Sequence, residues 1–501
     1  MKKNRAILIL KNTLTNYLRQ VVMLATFFVL TPFIAKSLGN EALGLWSLIQ
    51  ATVGFFSLLD LGFAQAVVKY VADARGREDE ERLRDITATL FWIYAALGGA
   101  SMAVTLGLAP FVTRLLGIPK EMEGVARAVF VIIGARSAFS FPMGMFSGVL
   151  TGFQLQSWSN IIRSTGMLAY GALALWVLLA APSLELVAWV SLATHVVTDG
   201  VCMAVCLIFL RGVSLSPHRF QWRLVREVGA FSSYFFLIQV SSLIYMRVDT
   251  ILVQAFLTLS AVALYTVAAR AAESAATFCR QLTNALTPMI AELKGAGEEK
   301  NIRALFLKGA KIATAMAAPL LVGMFWFSQD LLVAWMGRDY AQAAPACRIV
   351  LLAMMVSVAN GGAANVLTMT GFQRYVALSF VAGQGVNLVL TIFLVWQTPL
   401  GINGVALATL AASLFADFWL VARRACREYH VSLPEYLRLT VWPSAPSSAV
   451  MIGGLWLAER WLAASSLWRI GVLEAGGCVL FVIAFAALGL DAKERASYGE
   501  R

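Results

Sequence analysis

The sequence predicts an all-α polytopic membrane protein: about fourteen transmembrane helices, arranged as two six-helix repeats in parallel orientation plus two C-terminal helices. Three observations carry this. The 501 residues are 59% hydrophobic and only 14% charged, with a mean hydropathy of +0.74; a soluble domain carries about 25% charged residues. Continuous apolar stretches of about 20 residues, long enough to cross a bilayer, recur along nearly the whole chain, whereas a membrane β-barrel would show short alternating segments. Finally, internal matches recur at one near-constant offset. "TGFQ" occurs at Thr151–Gln154 and again at Thr370–Gln373, 219 residues on. "EALGLWSL" (Glu41–Leu48) precedes "SAVALYTV" (Ser260–Val267) by the same 219, and "LVAWVSLATHVVTD" (Leu186–Asp199) precedes "GVALATLAASLFAD" (Gly404–Asp417) by 218.

Taken in order, the spans fall at 14–36, 42–71, 87–109, 123–150, 158–181, 185–210, 229–257, 261–291, 307–328, 341–369, 375–397, 402–424, 438–459 and 467–490. The breaks have local causes. "KSLGNE" and "LTLS" turn the chain between the first two spans and between the seventh and eighth. "RGREDEERLRD" (Arg75–Asp85) is a solvated charged loop, "GAGEEKN" (Gly295–Asn301) holds the matching place in the second half, and "VSLSPHRFQW" (Val213–Trp222) joins the halves. "TGFQ" follows the fourth and tenth spans, where its glycine can take the left-handed conformation that ends a helix; it reads as a repeated turn, not as a catalytic motif. The N-terminal "MKKNRAILILKNTLTNYLRQ" is basic, but Lys11 interrupts its apolar stretch too early for a signal core, so it reads as a cytoplasmic lead into the first span.

Lys and Arg fix the orientation. They crowd the N-terminus (Lys2, Lys3, Arg5, Lys11), the second loop (Arg75, Arg77, Arg82, Arg84), the sixth (Arg211, Arg219, Arg223, Arg226), the eighth (Lys294, Lys300, Arg303, Lys308, Lys311) and the twelfth (Arg423, Arg424, Arg427). Odd loops hold little beyond Arg114, Lys120 and Arg338. Both termini are therefore expected in the cytoplasm. Six helices per repeat is an even number, so the repeats should be related by an axis along the membrane normal. The expected division is 1–212 for the N-terminal lobe, 213–228 for a cytoplasmic linker, 229–427 for the C-terminal lobe, and 428–501 for two added helices and a tail.

Charges inside spans resist a purely structural reading, because each costs about 2.5–3.5 kcal/mol at mid-bilayer on insertion scales and must face a cavity or a partner. They are Arg19, Asp60, Arg136 and Asp199 in the first half, and Arg247, Asp249, Arg270, Glu273, Arg280 and Asp417 in the second. Arg270 and Glu273 can meet at i,i+3, and Arg280 shares their face. A cationic stripe of Arg247, Arg270 and Arg280, helped by Arg19, suits an anionic substrate, since arginine donates two parallel hydrogen bonds to phosphate and stays charged when desolvated. Asp60, Asp249, Glu273 and Arg136 would supply supporting ion pairs or coupling. The competing reading is a set of ion pairs that only fix helix packing; it is favoured for Asp199 and Asp417, which occupy equivalent places in the two repeats. His195, one turn before Asp199, can simply bond to it.

Other chemistries find little support. The six cysteines are scattered, and Cys202 and Cys206, one turn apart, lack a histidine or second pair to complete a metal site. No GxxxxGK[ST] phosphate loop occurs, which argues against ATP hydrolysis within this chain. The basic residues lie in short loops rather than on one basic domain, so topology explains the pI near 9.6 better than nucleic acid does. No enzyme and no cofactor is expected; the driving force could be an ion gradient or the membrane potential.

"LGNEALGLWSLIQATVGFFSLLDLGFAQAVVKYVAD" (Leu38–Asp73), with its "LLDLGF" centre (Leu58–Phe63), resembles the second-helix region of polysaccharide exporters in the multidrug/oligosaccharidyl-lipid/polysaccharide flippase superfamily, as do "GVLTGFQLQSW" and "GINGVALATLAAS" (Gly401–Ser413). The resemblance implies two six-helix lobes in a V-shaped bundle and alternating access. It implies transport of undecaprenyl-pyrophosphate-linked oligosaccharide across the bacterial inner membrane, for O-antigen, capsule or exopolysaccharide synthesis. It also implies a cationic cavity lined by helices one, two, seven and eight, and Arg19, Arg247, Arg270 and Arg280 fall on three of these. Expected partners are the lipid-linked oligosaccharide and membrane lipids, with glycan polymerase and chain-length machinery as candidates, and no nucleic acid. Two superfamily alternatives stay open. A cation-coupled multidrug exporter should have a net negative cavity, against the arginine surplus here, and a lipid II flippase should show an N-terminal arginine pattern with no clear match here. A glycan polymerase or ligase would need a larger periplasmic loop than Pro110–Gly124 or Gln329–Gln342.

Overall fold

The computed structural model describes residues 2–229, 248–284, 289–290, 293–294, 297–462 and 464–490. All regular elements among them are helical. Among the described residues, ten segments are long and apolar enough to cross a membrane by length and composition. One of these, Arg338–Gln397, contains two helices joined by a π-turn, as described below. The chain divides into two compact units, Met1–Ala263 and Leu264–Arg501.

The first unit runs through α1 (Lys2–Leu38), α2 (Asn40–Gly54), α3 (Phe63–Gly76), α4 (Glu80–Leu108), α5 (Glu123–Gly152), α6 (Gln156–Ala180) and α7 (Leu184–Phe209). The second span was expected as one helix over 42–71. It is instead broken: α2 gives way to a 3₁₀ turn, Phe55–Asp60, and then Leu61 and Gly62 both take left-handed backbone (φ 50° and 80°) before α3 begins. The "LLDLGF" segment is this break. Asp60 eases it, because its carboxylate accepts the Ala64 backbone N–H at 3.3 Å, satisfying one of the loose donors at the start of α3. Non-helical backbone at this depth is tolerated where it lines a cavity.

Helix α5 is the centre of the unit. It packs on α7 and α4 around a core of Phe146, Val149, Leu150, Val67, Val71, Ile86 and Leu90. Without a hydrophobic driving force between helices in lipid, close approach through small residues takes over. Gly148 and Gly152 show this: a Cβ on them would meet Val67 and Val71 of α3 at 2.9 and 2.8 Å. The segment 213–228 is strapped along α4, with Ser214 and Gln221 backbone N–H groups donating to Thr87 and Thr89 and Arg219 paired to Asp85 at 3.1 Å.

The second unit contains most of α8 (Leu259–Asn284), then α9 (Glu299–Trp326), α10 (Ser328–Met336), α11 (Ala344–Leu367), α12 (Gln373–Gln397) and α13 (Ile402–Ser413). Helix α13 continues through a π-helical turn, Leu414–Ala422, into Arg423–Glu428. Then follow α14 (Leu433–Thr440), α15 (Ser444–Glu459) and α16 (Leu467–Ala484). The short α14 is started by a capping box of Ser432 and Glu435. Its Tyr436 is fully buried, stacks on Phe306 at 5.3 Å and donates to Ala359 O or Asn360 Oδ1, each at 3.2 Å.

The two "TGFQ" copies differ. In the second, Gly371 makes the turn at φ 103°, as expected. In the first, Gly152 stays helical, its missing side chain leaving room for Val71, and Gln154 takes the left-handed place at φ 60°. The bonds Gln154 N–H to Thr151 O (2.9 Å) and Leu155 N–H to Leu150 O (2.8 Å) close a Schellman motif. Both phenylalanines are covered by an arginine: Arg75 over Phe153 at 5.2 Å and Arg424 over Phe372 at 4.7 Å.

Candidate functional site

Inside the first unit, helices α1 and α3 to α7 line an open cavity of about 640 Å³. Its charged walls are Arg19 on α1, Asp60 at the break in the second span, Arg163 on α6 and Asp199 on α7, with His195 one turn away. Each group is held differently. Asp60 Oδ1 accepts the Tyr94 hydroxyl at 2.5 Å. Asp199 Oδ1 pairs with Arg163 Nη2 at 3.2 Å, and its Oδ2 accepts from Ser140 Oγ at 3.1 Å. His195 Nδ1 lies 2.9 Å from Ser191 O within its own helix, so it bonds the backbone rather than Asp199. The remaining walls carry neutral polar groups such as Gln156, Ser159 and Asn160. Two guanidinium groups and hydrogen-bonding amides around one space can hold a phosphate or a sugar.

The structure brings together part of the expected set. Arg19 and Asp60 share this cavity. Arg136 stands outside its wall and ties α5 to two neighbours, donating to Ser191 Oγ at 2.8 Å and to Gln50 Oε1 at 2.9 Å. In the second unit Arg270 and Glu273 form the expected i,i+3 pair at 3.0 Å. Arg280 approaches Met354 Sδ at 3.3 Å, and its charge acts on Asp417, which also takes a hydrogen bond from Ser413. Asp417 sits in the π-helical turn of Leu414–Ala422, a distortion that often marks a functional site. Of the repeat-equivalent aspartates, Asp199 thus pairs directly with an arginine of α6, whereas Asp417 feels the charge of Arg280 on α8. Asp249 lies in a described helical stretch beginning at 248, while Arg247 lies outside the described residues.

The residues missed from sequence are Arg163 and Tyr94. Arg163 was legible: it is an arginine six residues into a span, near enough its end to pass as a flanking charge. Tyr94 carries no such signal, because a tyrosine in an apolar run is ordinary.

These features define a class, a polytopic helical membrane protein with a charged cavity inside its first helical unit. The chain belongs to the polysaccharide biosynthesis protein family, whose family model matches residues 9–294, more than half its length. A second family model, MatE, matches residues 235–393. Among curated proteins, the uncharacterized membrane protein EpsK of Bacillus subtilis is 22% identical over 389 residues, covering 76% of this chain and 75% of EpsK. The uncharacterized membrane protein MJ1068 of Methanocaldococcus jannaschii is 24% identical over 388 residues, covering 72% and 74%. Among solved structures, the lipid II flippase MurJ in an inward closed conformation aligns over 95% of this chain and 98% of its own, with TM-score 0.73 and 12% identity. An inward-facing multidrug resistance MATE family transporter of the MOP superfamily aligns over 82% and 99%, with TM-score 0.68 and 17% identity. The fold is therefore that of MOP-superfamily transporters.

Proposed function

We propose that this protein is a flippase that moves undecaprenyl-pyrophosphate-linked oligosaccharide from the cytoplasmic to the periplasmic leaflet of a bacterial inner membrane, by alternating access, for surface polysaccharide synthesis. The observation that carries this reading is a cavity walled by Arg19 and Arg163 in a chain of the polysaccharide biosynthesis family. A headgroup bearing a diphosphate and sugars needs cationic forks and neutral hydrogen-bonding groups together, and the cavity offers both. Arg270 and Arg280 of the second unit, and Arg247, are further candidates for phosphate contact, with Glu273 and Asp249 as resting partners. Several moderate contacts suit transport better than one deep site, because the headgroup must also leave. In this reading the protein performs no bond-making chemistry and both termini are cytoplasmic.

The test is reconstitution in liposomes carrying undecaprenyl-pyrophosphate-linked oligosaccharide with a fluorescent sugar. Protein-dependent exposure of the sugar to an impermeant quencher is expected. If the labelled lipid stays put while a lipophilic cation or lipid II is moved in parallel vesicles, the substrate assignment fails in favour of those alternatives.

A further inference from the structure

We propose that Glu474, on α16, is a proton-binding site in the membrane interior, and that the proton it carries holds this last helix against α9. The inference does not depend on which substrate the cavity of the first unit takes.

Glu474 stands seven residues past Leu467, the start of α16, in a segment long and apolar enough to cross a membrane. An ionisable group there needs a partner or a function. Asp60 and Asp199 have partners, but Glu474 does not. Both of its carboxyl oxygens are buried, and neither has a hydrogen-bond partner among the described residues. The carboxyl rests directly on the backbone of α9. A Cβ added to the buried Gly323 would overlap it, so the glycine is the notch that receives the acid. The same helices pack, together with α15, through Ala318, Phe327, Met451, Leu455 and Leu473, an apolar core with no donor to offer.

The titratable groups of the packed elements do not compensate. On α9 the first cation below Gly323 is Lys311, twelve residues and about 18 Å of helix away. Helix α10 carries Asp330, α15 carries Glu459, and α16 itself carries Arg469 and Cys478. Glu459 accepts from Trp326 Nε1 at 3.2 Å, and Arg469 donates to Ser465 Oγ at 3.0 Å. Arg460, just after α15, lies over the Trp456 ring at 3.9 Å. None of them bonds to Glu474. A bare carboxylate in such surroundings is far costlier than the neutral acid, so the group takes a proton instead. A metal ion would need several oxygen ligands, and among the described residues no group of three His, Cys, Asp or Glu side chains gathers to hold one. Ionisation would drive the carboxyl toward water, about two helical turns away at the start of α16. Loss of the proton therefore loosens α16 from α9.

The experiment treats the purified full chain in liposomes with dicyclohexylcarbodiimide, which enters apolar regions and reacts with protonated carboxyls. The acid adds across one C=N bond, its proton going to nitrogen and its oxygen to carbon. The acyl group then shifts to nitrogen, leaving a stable N-acylurea and no leaving group. Peptide mass spectrometry should find Glu474 labelled at neutral pH, and unlabelled by a charged, water-soluble carbodiimide. Labelling should fall by about tenfold or more once the pH passes one unit above the titration of the acid. Sodium at fixed pH should not protect it. E474Q, a neutral isostere of the protonated acid, should unfold at the wild-type temperature at neutral pH. It should also escape the loss of unfolding temperature that wild type shows as alkaline pH strips the proton. No label on Glu474 at neutral pH, labelling by the soluble reagent, labelling indifferent to alkaline pH, or protection by sodium would each overturn the proposal. So would an alkaline loss of stability shared equally by E474Q. If E474Q does not fold, the labelling of wild type decides alone.

Discussion

Tyr94 on α4 donates its hydroxyl to Asp60 at 2.5 Å, and so pins the fourth helix to the break in the second span. The same carboxylate starts α3 through the Ala64 N–H. One side chain thus stabilises a helix start, a broken span and a cavity wall.

Replacing Tyr94 by Phe should cost about 1–2 kcal/mol, the worth of a hydrogen bond to a charged group in a membrane interior. Asp60→Ala should cost more, because it also frees the N–H at the start of α3. Thermal unfolding in detergent reads both, and a wild-type transition in Asp60→Ala would show that the break needs no cap.

The close approach of α5 to α3 gives a second expectation. Gly152→Ala places a methyl against Val71, where contacts of 2.8 and 2.9 Å force the helices apart. Overpacking of this kind costs about 1–3 kcal/mol. Gly99→Ala meets nothing within 4 Å and should be neutral or slightly stabilising, since alanine is the better helix former. Equal effects of the two substitutions on unfolding temperature would contradict this packing.

The two "TGFQ" turns should respond in opposite ways to glycine exchange. Gly371→Ala forces a side chain to φ 103° and should destabilise by about 1 kcal/mol or more. Gln154→Gly relieves a left-handed residue at φ 60° and should leave stability unchanged or raise it by up to about 1 kcal/mol. Unfolding temperatures of the two variants decide the matter.

In the second unit Arg270→Ala should abolish transport while the protein still inserts and accumulates, and Arg270→Lys should restore only part of it, because the ammonium keeps the charge but loses the fork. The control is Glu273→Gln, which removes the 3.0 Å partner of Arg270 and should preserve phosphate contact. Wild-type transport in Arg270→Ala would reduce this pair to helix packing.

Membrane topology is open to direct measurement. Reporters placed within Arg75–Asp85 and after Glu500 are expected to read cytoplasmic, and one near Lys120 periplasmic, from the asymmetry of Lys and Arg across the loops. A periplasmic reporter at Glu500 would overturn the orientation.

The sequence by itself determined the fold class, because the bilayer leaves a chain of this hydropathy one solution: helices that satisfy their own backbone. It also exposed the arginines and aspartates, since each charge in an apolar run stands out against its cost. Apart from the local Arg270–Glu273 pair, only the tertiary structure decided the partners. The sequence could mark Asp60 and Asp199 as anomalies. It could not assign Tyr94 to one and Arg163 with Ser140 to the other, because these residues lie on different helices and meet only through packing. The first "TGFQ" copy makes the same point. A glycine reads locally as a turn, but Gly152 stays helical beside a valine of a neighbouring helix that fills the space of its missing side chain, and the left-handed step falls on Gln154.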